Sequence, residues 1–450
     1  MPLYKERNYI GMNTIIERVA VKARNEKKCC FTSLAHHLSQ ERIWKGLCSI
    51  PINSGVGIDG CDVLQAREKF KEWVKPVLKS IHNRGYKAPA VKRVYIPKPG
   101  RSKMRPIGIP TVLDRGLQIA VSQVLSSIYE EDFVDSSFGG RPKRSAHQAI
   151  ARVLVAIASK KVGWVYEADL KDFFGSIDHG WVMRFIKHRV GDPRILNLIK
   201  RWLNAGVMEN GLVKKAQEGT PQGGPISVLI SNVYLHYVLD IWIEKVVKPK
   251  LRGEVYYVRY MDDFVLCFQY RSDAQSFEQV LPKRLAKFAL ALEPNKTQLV
   301  EFGRFARRDA IRFNEELKTI YFLGFDFYCS LNLQGRFRVG SKTEKGRFRR
   351  SVLNMKQSML AIRHKPLQVQ QAQINIIIEG HYRYYGIGGN FLALNRFYRL
   401  TVRMWLKVLK SRSQKNNLNW EKFNKILKQF PILEPRIYVT YRDLRTMARL

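Results

Sequence analysis

Two adjacent carboxylates stand between two apolar segments of the chain. Asp262 and Asp263 separate residues 255–259 from residues 264–268, and both flanks are rich in β-branched and aromatic side chains. This pattern predicts a β-hairpin with the acidic pair at its turn. Neighbouring carboxylates in a sheet repel each other and lose solvation, and a bound divalent cation is the commonest way to offset this cost. The pair therefore favours a Mg²⁺ site. Asp is also a common turn residue, so the pair alone leaves both interpretations open.

A second acidic residue follows another apolar segment. Asp169 comes directly after residues 164–168, which read as a strand. Strand ends that carry Asp169 and Asp262 can hold two Mg²⁺ ions, one that lowers the pKa of an attacking hydroxyl and one that stabilises a leaving phosphate. Carboxylate oxygens are hard ligands that match this metal. The combination predicts phosphoryl-transfer chemistry.

The charge balance points to a polyanionic partner. The 450 residues contain 78 Lys and Arg against 38 Asp and Glu, which gives a formal net charge of +40. Nucleic acid is the leading candidate to neutralise such a charge. A membrane surface is the weaker alternative because no long basic amphipathic helix with an anchor is found. The length and the 45% hydrophobic content predict two or three globular domains.

The cysteines and the apolar segments predict a cytoplasmic protein. The six cysteines form no C-x-x-C pair, as is typical of reduced thiols, and we expect neither a zinc site nor a signal peptide. The most apolar window, residues 226–247, contains Asn232, His236, Asp240 and Glu244. We therefore predict a buried helix there and no membrane span.

Basic and glycine-rich segments surround the acidic ones. Residues 91–97 and 104–109 predict a hairpin whose tip and return strand carry Lys103 and Arg105, which suits phosphate binding or a charged, solvated strand edge. The glycine-rich residues 219–224 either approach a ligand or simply begin the next helix. Residues 1–90 read as helical and basic. Beyond residue 335 the chain reads as basic helices with interleaved aromatics that either bind nucleic acid or pack as core.

Six segments, in this order, resemble the motifs of bacterial reverse transcriptases of the group II intron type. They are KMRPIGIP (103–110), SFGGRP (137–142), EADLKDFF (167–174), GTPQGG (219–224), YMDD (260–263) and FLGF (322–325). The resemblance implies an α+β right-hand polymerase with an antiparallel palm sheet. It divides the chain into an N-terminal extension and start of the fingers (1–90), fingers and palm (91–335), and a helical thumb or maturase domain (336–450).

The resemblance also implies roles for individual residues. The catalytic group is Asp169, Asp262, Asp263 and Lys296, with Lys296 as the proton donor to pyrophosphate. The Mg²⁺ ligands are Asp169, Leu170 and Asp262. The residues implied at the incoming dNTP are Lys103, Arg105, Leu170, Phe174 and Gln222. Among them, Phe174 would exclude ribonucleotides. From the basic and aromatic character of their segments we also expect nucleic acid at Arg141, Lys143, Arg144, Arg347, Arg349, Arg350 and Tyr384.

Three positions depart from the family's pattern. Gly140 stands where a bulky residue is usual, Val228 replaces a proline, and Met261 replaces a frequent alanine. The first two affect the expected template contacts and the start of a helix, and the third places a long side chain by the primer end.

The resemblance implies an RNA-directed DNA polymerase that is also a maturase of its own intron RNA. Its partners would be an RNA template, the intron RNA, a DNA primer or target, and dNTPs. Two alternatives remain: a domesticated relative that serves DNA repair or antiviral defence, and an RNA-binding splicing cofactor with a vestigial polymerase. The intact Asp169, Asp262 and Asp263 argue against the last, because a purely binding protein has no need for three clustered carboxylates.

Overall fold

The structure is a computed structural model that describes residues 14–97, 104–209, 212–214, 223–306, 312, 316–413 and 417–448. Its architecture is α+β, as predicted. Three sheets are surrounded by helices, and the N-terminal part is helical. The helices that precede the first strand are α1 (Thr14–Asn25), α2 (Gln40–Cys48) and α3 (Val63–His82).

The predicted acidic hairpin belongs to an antiparallel central sheet. Its strands lie in the order β6-β7-β3-β8, with bounds β3 (Trp164–Ala168), β6 (Val255–Tyr260), β7 (Asp263–Phe268) and β8 (Gln298–Glu301). Side chains alternate along each strand, so Phe264 and Leu266 of β7 face one side while Val265 and Cys267 face the other. All four are buried, and the two pairs belong to two different hydrophobic cores. The central sheet is therefore the layer shared by both cores.

The first core lies on the face of the central sheet that carries Phe264 and Leu266, and it includes the N-terminal helices. Around it are α4 (Val112–Tyr129), α6 (Phe173–Ser176), α7 (His179–Lys187), α8 (Pro193–Leu203), α9 (Pro225–Leu235) and α10 (Arg271–Ala286). The predicted basic hairpin is present and lies in an N-terminal sheet of order β2-β1-β4-β5. Its strands are β1 (Val91–Pro97), β2 (Met104–Ile109), β4 (Val207–Glu209) and β5 (Leu212–Lys214). The tip of the basic hairpin, residues 98–103, lies outside the described residues.

Helix α9 continues without a break to residue 250 through two π-helical turns and one 3-10 turn. By length and composition this helix, Pro225–Lys250, is the one helix among the described residues that is apolar enough to cross a membrane. Its most apolar window is 78% buried by surrounding protein. The predicted buried helix is therefore what the structure contains.

The second core joins the C-terminal region to the central sheet. It contains α5 (Ala146–Ser159), a C-terminal sheet of order β11-β10-β9, and the last helices. The strands of that sheet are β9 (Ile320–Phe322), β10 (Phe325–Leu331) and β11 (Phe337–Thr343). The helices are α11 (Lys345–Ala361), α12 (Leu367–Tyr385), α13 (Phe391–Lys410), α14 (Trp420–Gln429) and α15 (Tyr441–Ala448).

The structure moves the predicted boundary between residues 335 and 336. That position lies in the turn of a hairpin, since β10 and β11 pair from Phe325 opposite Thr343 to Leu331 opposite Phe337. A cut there would separate two strands that hydrogen-bond along their full length. The purely helical region begins at Lys345, where Glu344 caps α11 by accepting hydrogen bonds from Gly346 and Arg347.

Candidate active site

The three predicted acidic residues meet at one end of the central sheet. Strands β3 and β7 are antiparallel with Ala168 opposite Phe264, so Asp169 follows the end of β3 where Asp263 begins β7. Strand β6 returns to β7 through a tight turn of Met261 and Asp262. Residues that are about 90 positions apart in the chain thus form one acidic cluster, defined here as Asp169, Asp262 and Asp263.

Burial and repulsion make Asp262 and Asp263 of the acidic cluster costly to ionise. Burial raises the pKa of Asp262, and the charge of Asp169 raises it further. Burial also raises the pKa of Asp263 well above its usual range, with added repulsion from Asp169 and Asp262. Asp169 itself is only 8% exposed. A site of this kind is stabilised by positive charge placed next to it.

Lys296 supplies such a charge. Its ammonium forms an ion pair with the Asp169 Oδ2 oxygen. Burial lowers the pKa of Lys296, but the hydrogen bond and charge of Asp169 outweigh burial, so the net pKa is raised and the side chain stays protonated. The structure therefore brings the predicted lysine to the acidic cluster.

Backbone hydrogen bonds fix the segment that carries Lys296. The Glu293 amide donates to the Asp169 carbonyl oxygen at 2.8 Å, and the Lys171 amide donates to the Ala291 carbonyl oxygen at 2.9 Å. Leu170 forms a β-bridge with Leu292 between these two bonds. The lysine is thus held next to the strand end whose carboxylate it pairs with.

The predicted nucleotide residues lie around the same end of the sheet. Arg105 on β2 is exposed, and its positive charge acts on Asp262 and lowers the pKa of that carboxyl against the larger effect of burial. Of the two phenylalanines in α6, Phe173 is 2% exposed and packs in the core, whereas Phe174 is half-buried. Leu170 has a buried side chain, so only its backbone is suited to contact a ligand.

Lys103 and Gln222 lie outside the described residues. The residue after Gln222 is described. Gly223 has a φ of 133°, and a Cβ there would lie 2.6 Å from the Gly108 carbonyl oxygen. Only glycine fits such a close backbone approach. Gly223 therefore lies beside β2, which carries Arg105.

The structure corrects the prediction for Arg141. Its side chain is only 4% exposed and forms an ion pair with Glu130 at 3.0 Å. The guanidinium also donates to the carbonyl oxygens of Val134 and Ser137 at 2.7 and 2.8 Å. A buried arginine with three such partners supports the loop around it and is not free to bind phosphate.

The other predicted nucleic-acid residues differ in their exposure. Lys143 is exposed, and Arg144 beside it pairs with Asp135 at 2.6 Å. On α11, Arg347 and Arg349 are exposed and Arg350 is half-buried. Tyr384 differs from these residues, because its hydroxyl donates to the Leu323 carbonyl oxygen at 2.8 Å and its ring packs against Phe325 and His147. The structure therefore gives Tyr384 a packing role between α12 and the C-terminal sheet.

A buried ion pair behind the acidic turn was not predicted from the sequence. Arg259 of β6 and Asp240 of the long helix are both fully buried, and two guanidinium nitrogens donate to Asp240 at 2.7 and 2.6 Å. A third nitrogen of Arg259 donates to Asn232 at 3.0 Å and to the Met261 carbonyl oxygen at 3.1 Å. The pair therefore holds the turn that carries Asp262. Its sequence signal was an arginine inside an apolar strand, which requires a partner to be buried.

Two glycines pack directly against the same turn. A Cβ on Gly139 would overlap the backbone nitrogen of Met261. A Cβ on Gly140 would lie 2.5 Å from a Val228 methyl group and 3.0 Å from the Met261 sulfur. The three positions that depart from the family's pattern, Gly140, Val228 and Met261, are therefore neighbours. The Val228 and Met261 side chains fill the space that a bulky residue at 140 would need.

The acidic cluster fits a divalent cation by its chemistry. Its carboxylate oxygens are hard ligands. Burial, and to a lesser degree the neighbouring carboxylates, raise the pKa of Asp262 and Asp263, so a cation there would be favourable. Within the described ranges, no group of three or more His, Cys, Asp or Glu side chains is arranged as a ready set of metal ligands. The predicted ligand set of Asp169, Leu170 and Asp262 stays a prediction.

Comparison with known proteins identifies the family. The family model for reverse transcriptase (RNA-dependent DNA polymerase) matches residues 96–327, which is more than half of the chain and includes the whole acidic cluster. The chain belongs to this family. As a reverse transcriptase it is an RNA-directed DNA polymerase, and enzymes of this family use divalent metal ions.

Proteins similar to this reverse transcriptase include a group II intron-encoded protein. It is 27% identical to the group II intron-encoded protein LtrA of Lactococcus lactis subsp. cremoris, over 88% of this chain and 78% of LtrA. It is 34% identical to protein YkfC of Escherichia coli K12, over 47% of this chain and 62% of YkfC. It is also 33% identical to an uncharacterized 91 kDa protein in the cob intron of Schizosaccharomyces pombe, over 38% of this chain and 21% of that protein. The sequence-based identification as a group II intron-type reverse transcriptase is confirmed.

Substitution of Gly139 and of Gly140 should distinguish a contact with backbone from a contact with side chains in this reverse transcriptase. Gly139→Ala should be the more destabilising, by about 3 kcal/mol, because the backbone of Met261 has no room to move away. Gly140→Ala meets side-chain atoms and adds the strain of a φ of 69°. Val228→Ala should therefore recover about 1 kcal/mol of the loss in Gly140→Ala and almost none in Gly139→Ala. Urea unfolding of the three single and two double variants measures this coupling, and equal recovery in both backgrounds would contradict the packing described.

A buried glutamate should make the stability of this reverse transcriptase depend on pH. Burial raises the pKa of Glu167 to about 7, partly offset by hydrogen bonds from Gln298 and from the Tyr321 amide at 2.9 and 3.0 Å. The folded pKa lies above that of an unfolded glutamate, so protonation of Glu167 stabilises the folded state. This stabilisation is fully present below about pH 4.3 and is lost as the pH rises through 7. Glu167→Gln keeps an acceptor for both donors and removes the titration. The free energy of unfolding should therefore fall by about 3 kcal/mol more in the wild type than in Glu167→Gln between pH 4 and pH 8. Denaturant unfolding in metal-free buffer measures both proteins. If the free energy of unfolding depends on pH equally in the wild type and in Glu167→Gln, Glu167 is not the titrating group.

Proposed function

We propose that this reverse transcriptase copies RNA into DNA from dNTPs by two-Mg²⁺ nucleotidyl transfer at the acidic cluster. The observation that carries the proposal is the convergence of Asp169, Asp262 and Asp263 from two strand ends onto one point. A structural turn has no need of three carboxylates that destabilise one another. A metal-dependent transfer site does, because the same repulsion is relieved by the cations that the reaction uses.

Each residue of the acidic cluster has its own role in this proposal. Asp169 and Asp262, with the Leu170 backbone, hold the metals, and Asp263 orients Asp169 through their shared hydrogen bond. Bound Mg²⁺ lowers the pKa of the primer 3′ hydroxyl and stabilises charge on the leaving pyrophosphate. Lys296, protonated and beside the cluster, donates a proton to that pyrophosphate.

The nucleotide is held on the side that faces β2. Arg105 binds the triphosphate together with Lys103, since a guanidinium and an ammonium are the usual phosphate partners. Phe174, the accessible member of its pair, blocks a ribose 2′-hydroxyl. Gln222 and the Leu170 backbone line the same pocket.

The three sheets correspond in this proposal to parts of a right hand. The central sheet is the palm, and the N-terminal sheet with α1 to α3 forms the fingers and their extension. The helices α11 to α15 form the thumb, or maturase domain, with its start at Lys345. Nucleic acid lies along Lys143, Arg144, Arg347, Arg349 and Arg350, of which Lys143, Arg347 and Arg349 are exposed.

The similarity to LtrA supports a second partner, an intron RNA that this chain binds as a maturase. We place the protein in the bacterial cytoplasm with its RNA and its DNA primer or target, in agreement with six free cysteines. The DNA that flanks the gene distinguishes this role from the domesticated alternative. An enclosing intron supports the maturase, and a solitary gene favours repair or antiviral defence.

Primer extension tests the polymerase. Purified full-length protein with an RNA template, a DNA primer, dNTPs and Mg²⁺ should produce cDNA, and the same mixture with ribonucleotides should not. Failure of extension with dNTPs over a range of salt concentrations would overturn the proposal. Binding of the primer–template should also weaken steeply as salt increases, because a protein of net charge +40 contacts phosphates.

A further inference from the structure

The ion pair between Lys296 and Asp169 occurs where a metal is expected to bind. The lysine is the cation paired with Asp169, and its charge also lowers the pKa of Asp262 and Asp263 against the larger effect of burial. Its side chain is 47% exposed on a long, flexible stem. The turn that carries it, Pro294–Lys296, is tied to the Asp169 strand end by the backbone bonds described above.

We propose that the Lys296 ammonium is the resident counter-cation of Asp169 in the metal-free enzyme, and that a divalent cation must displace it in order to bind. This inference rests on the proposed metal site and adds to it a competition between a side chain and the metal. It assigns Lys296 a role before catalysis that is separate from proton donation.

Charge balance is the reason for the competition. Three carboxylates share a site with one ammonium in direct contact, and the Asp169 oxygen that binds Lys296 is an oxygen that a metal needs. A divalent cation carries twice the charge of the ammonium and can contact both Asp169 and Asp262, so it can replace the ammonium. The exposed stem of Lys296 allows the ammonium to leave without moving the backbone.

Displacement has a consequence for the order of events. While Lys296 is paired with Asp169, its ammonium is unavailable to a leaving group. Metal binding releases it at the edge of the same cluster. The proton donor thus becomes available only when the site is loaded.

The test measures Mg²⁺ affinity of the full chain by the dependence of its thermal unfolding temperature on Mg²⁺ concentration. Lys296→Met should lower the apparent Kd for Mg²⁺ about three- to tenfold, because the metal no longer competes with an ion pair. Lys171→Met is the matched control, since it removes one positive charge from an exposed position in the neighbouring segment. It should leave the Kd within about twofold. An unchanged or weaker affinity in Lys296→Met would overturn the inference.

A second measurement uses the wild type alone, in case Lys296→Met folds poorly. The rate at which an amine-reactive reagent acylates Lys296, followed by mass spectrometry, should increase severalfold when Mg²⁺ is added. An equal or slower rate would overturn the inference. Primer extension by the wild type distinguishes failure of this inference from failure of the proposed metal site. If the wild type extends primers but Lys296→Met leaves the Mg²⁺ affinity unchanged, only the displacement is rejected. If the wild type neither binds Mg²⁺ nor extends primers, the metal site is rejected.

Discussion

Asp262→Ala should abolish primer extension on an RNA template, with a loss of at least about 1000-fold. Asp262 lies in the turn between β6 and β7 and faces Asp169, so its removal leaves the metals with ligands from one strand end only. A loss of several kcal/mol of transition-state stabilisation corresponds to a rate reduction of this size. The measurement is cDNA yield against time with dNTPs and Mg²⁺ at saturating primer–template.

The control for Asp262→Ala is an acidic residue close to the cluster in sequence. Asp172 is exposed three positions after Asp169, and its φ of 42° is one that asparagine tolerates. Asp172→Asn should therefore retain most of the activity. Because removal of Asp262 also relieves repulsion with Asp169, Asp262→Ala should unfold at a temperature no lower than that of the wild type in metal-free buffer. Continued synthesis by folded Asp262→Ala would remove Asp262 from the site.

Asp240→Asn should destabilise the protein by about 3–5 kcal/mol and reduce primer extension sharply. The change leaves the Arg259 guanidinium buried without its counter-charge, which is one of the most destabilising single substitutions that a fold can receive. Arg259 also holds the Met261 carbonyl oxygen, so the acidic turn should lose its fixed position. Denaturant unfolding measures the first effect, and primer extension at a permissive temperature measures the second.

A double replacement separates stability from positioning. Asp240→Leu combined with Arg259→Met removes both charges and should recover most of the lost stability. Extension should stay low, because no group then donates to Met261 or Asn232 from that position. Full activity in the stable double variant would show that Arg259 does not position the turn.

Much of the site followed from local sequence patterns. The strands β6 and β7 were predicted because β-branched and aromatic residues on both sides of a turn favour paired strands. The basic hairpin β1–β2 followed from the same reasoning, and the buried helix followed from an apolar window, residues 226–247, that contains polar residues. Asp169 and Asp262 were paired because both end apolar strands, and the register of β3 with β7 places them together.

Long-range packing was not predictable in the same way. The sequence around Arg141 is that of an exposed basic loop. In the structure, however, the Arg141 side chain is buried and binds Glu130 and two carbonyl oxygens. The boundary at residue 335 failed because a change in composition does not reveal that β10 pairs with β11 across it. Tyr384 was expected at nucleic acid because aromatic residues between cations suit bases, but its hydroxyl and ring are used in packing.

The sequence by itself determined the chemistry of this protein: the acidic strand ends, the basic charge that suits nucleic acid, and the family to which it belongs. These depend on residue types and on order along the chain, which a sequence records directly. The tertiary structure alone decided which groups share the interior. The pairing of Arg259 with Asp240, the contact of Gly140 with Val228 and Met261, and the ion pair of Lys296 with Asp169 join residues that are 19 to 127 positions apart. Burial makes each of these contacts strong, and burial is a property of the folded chain that local patterns do not specify.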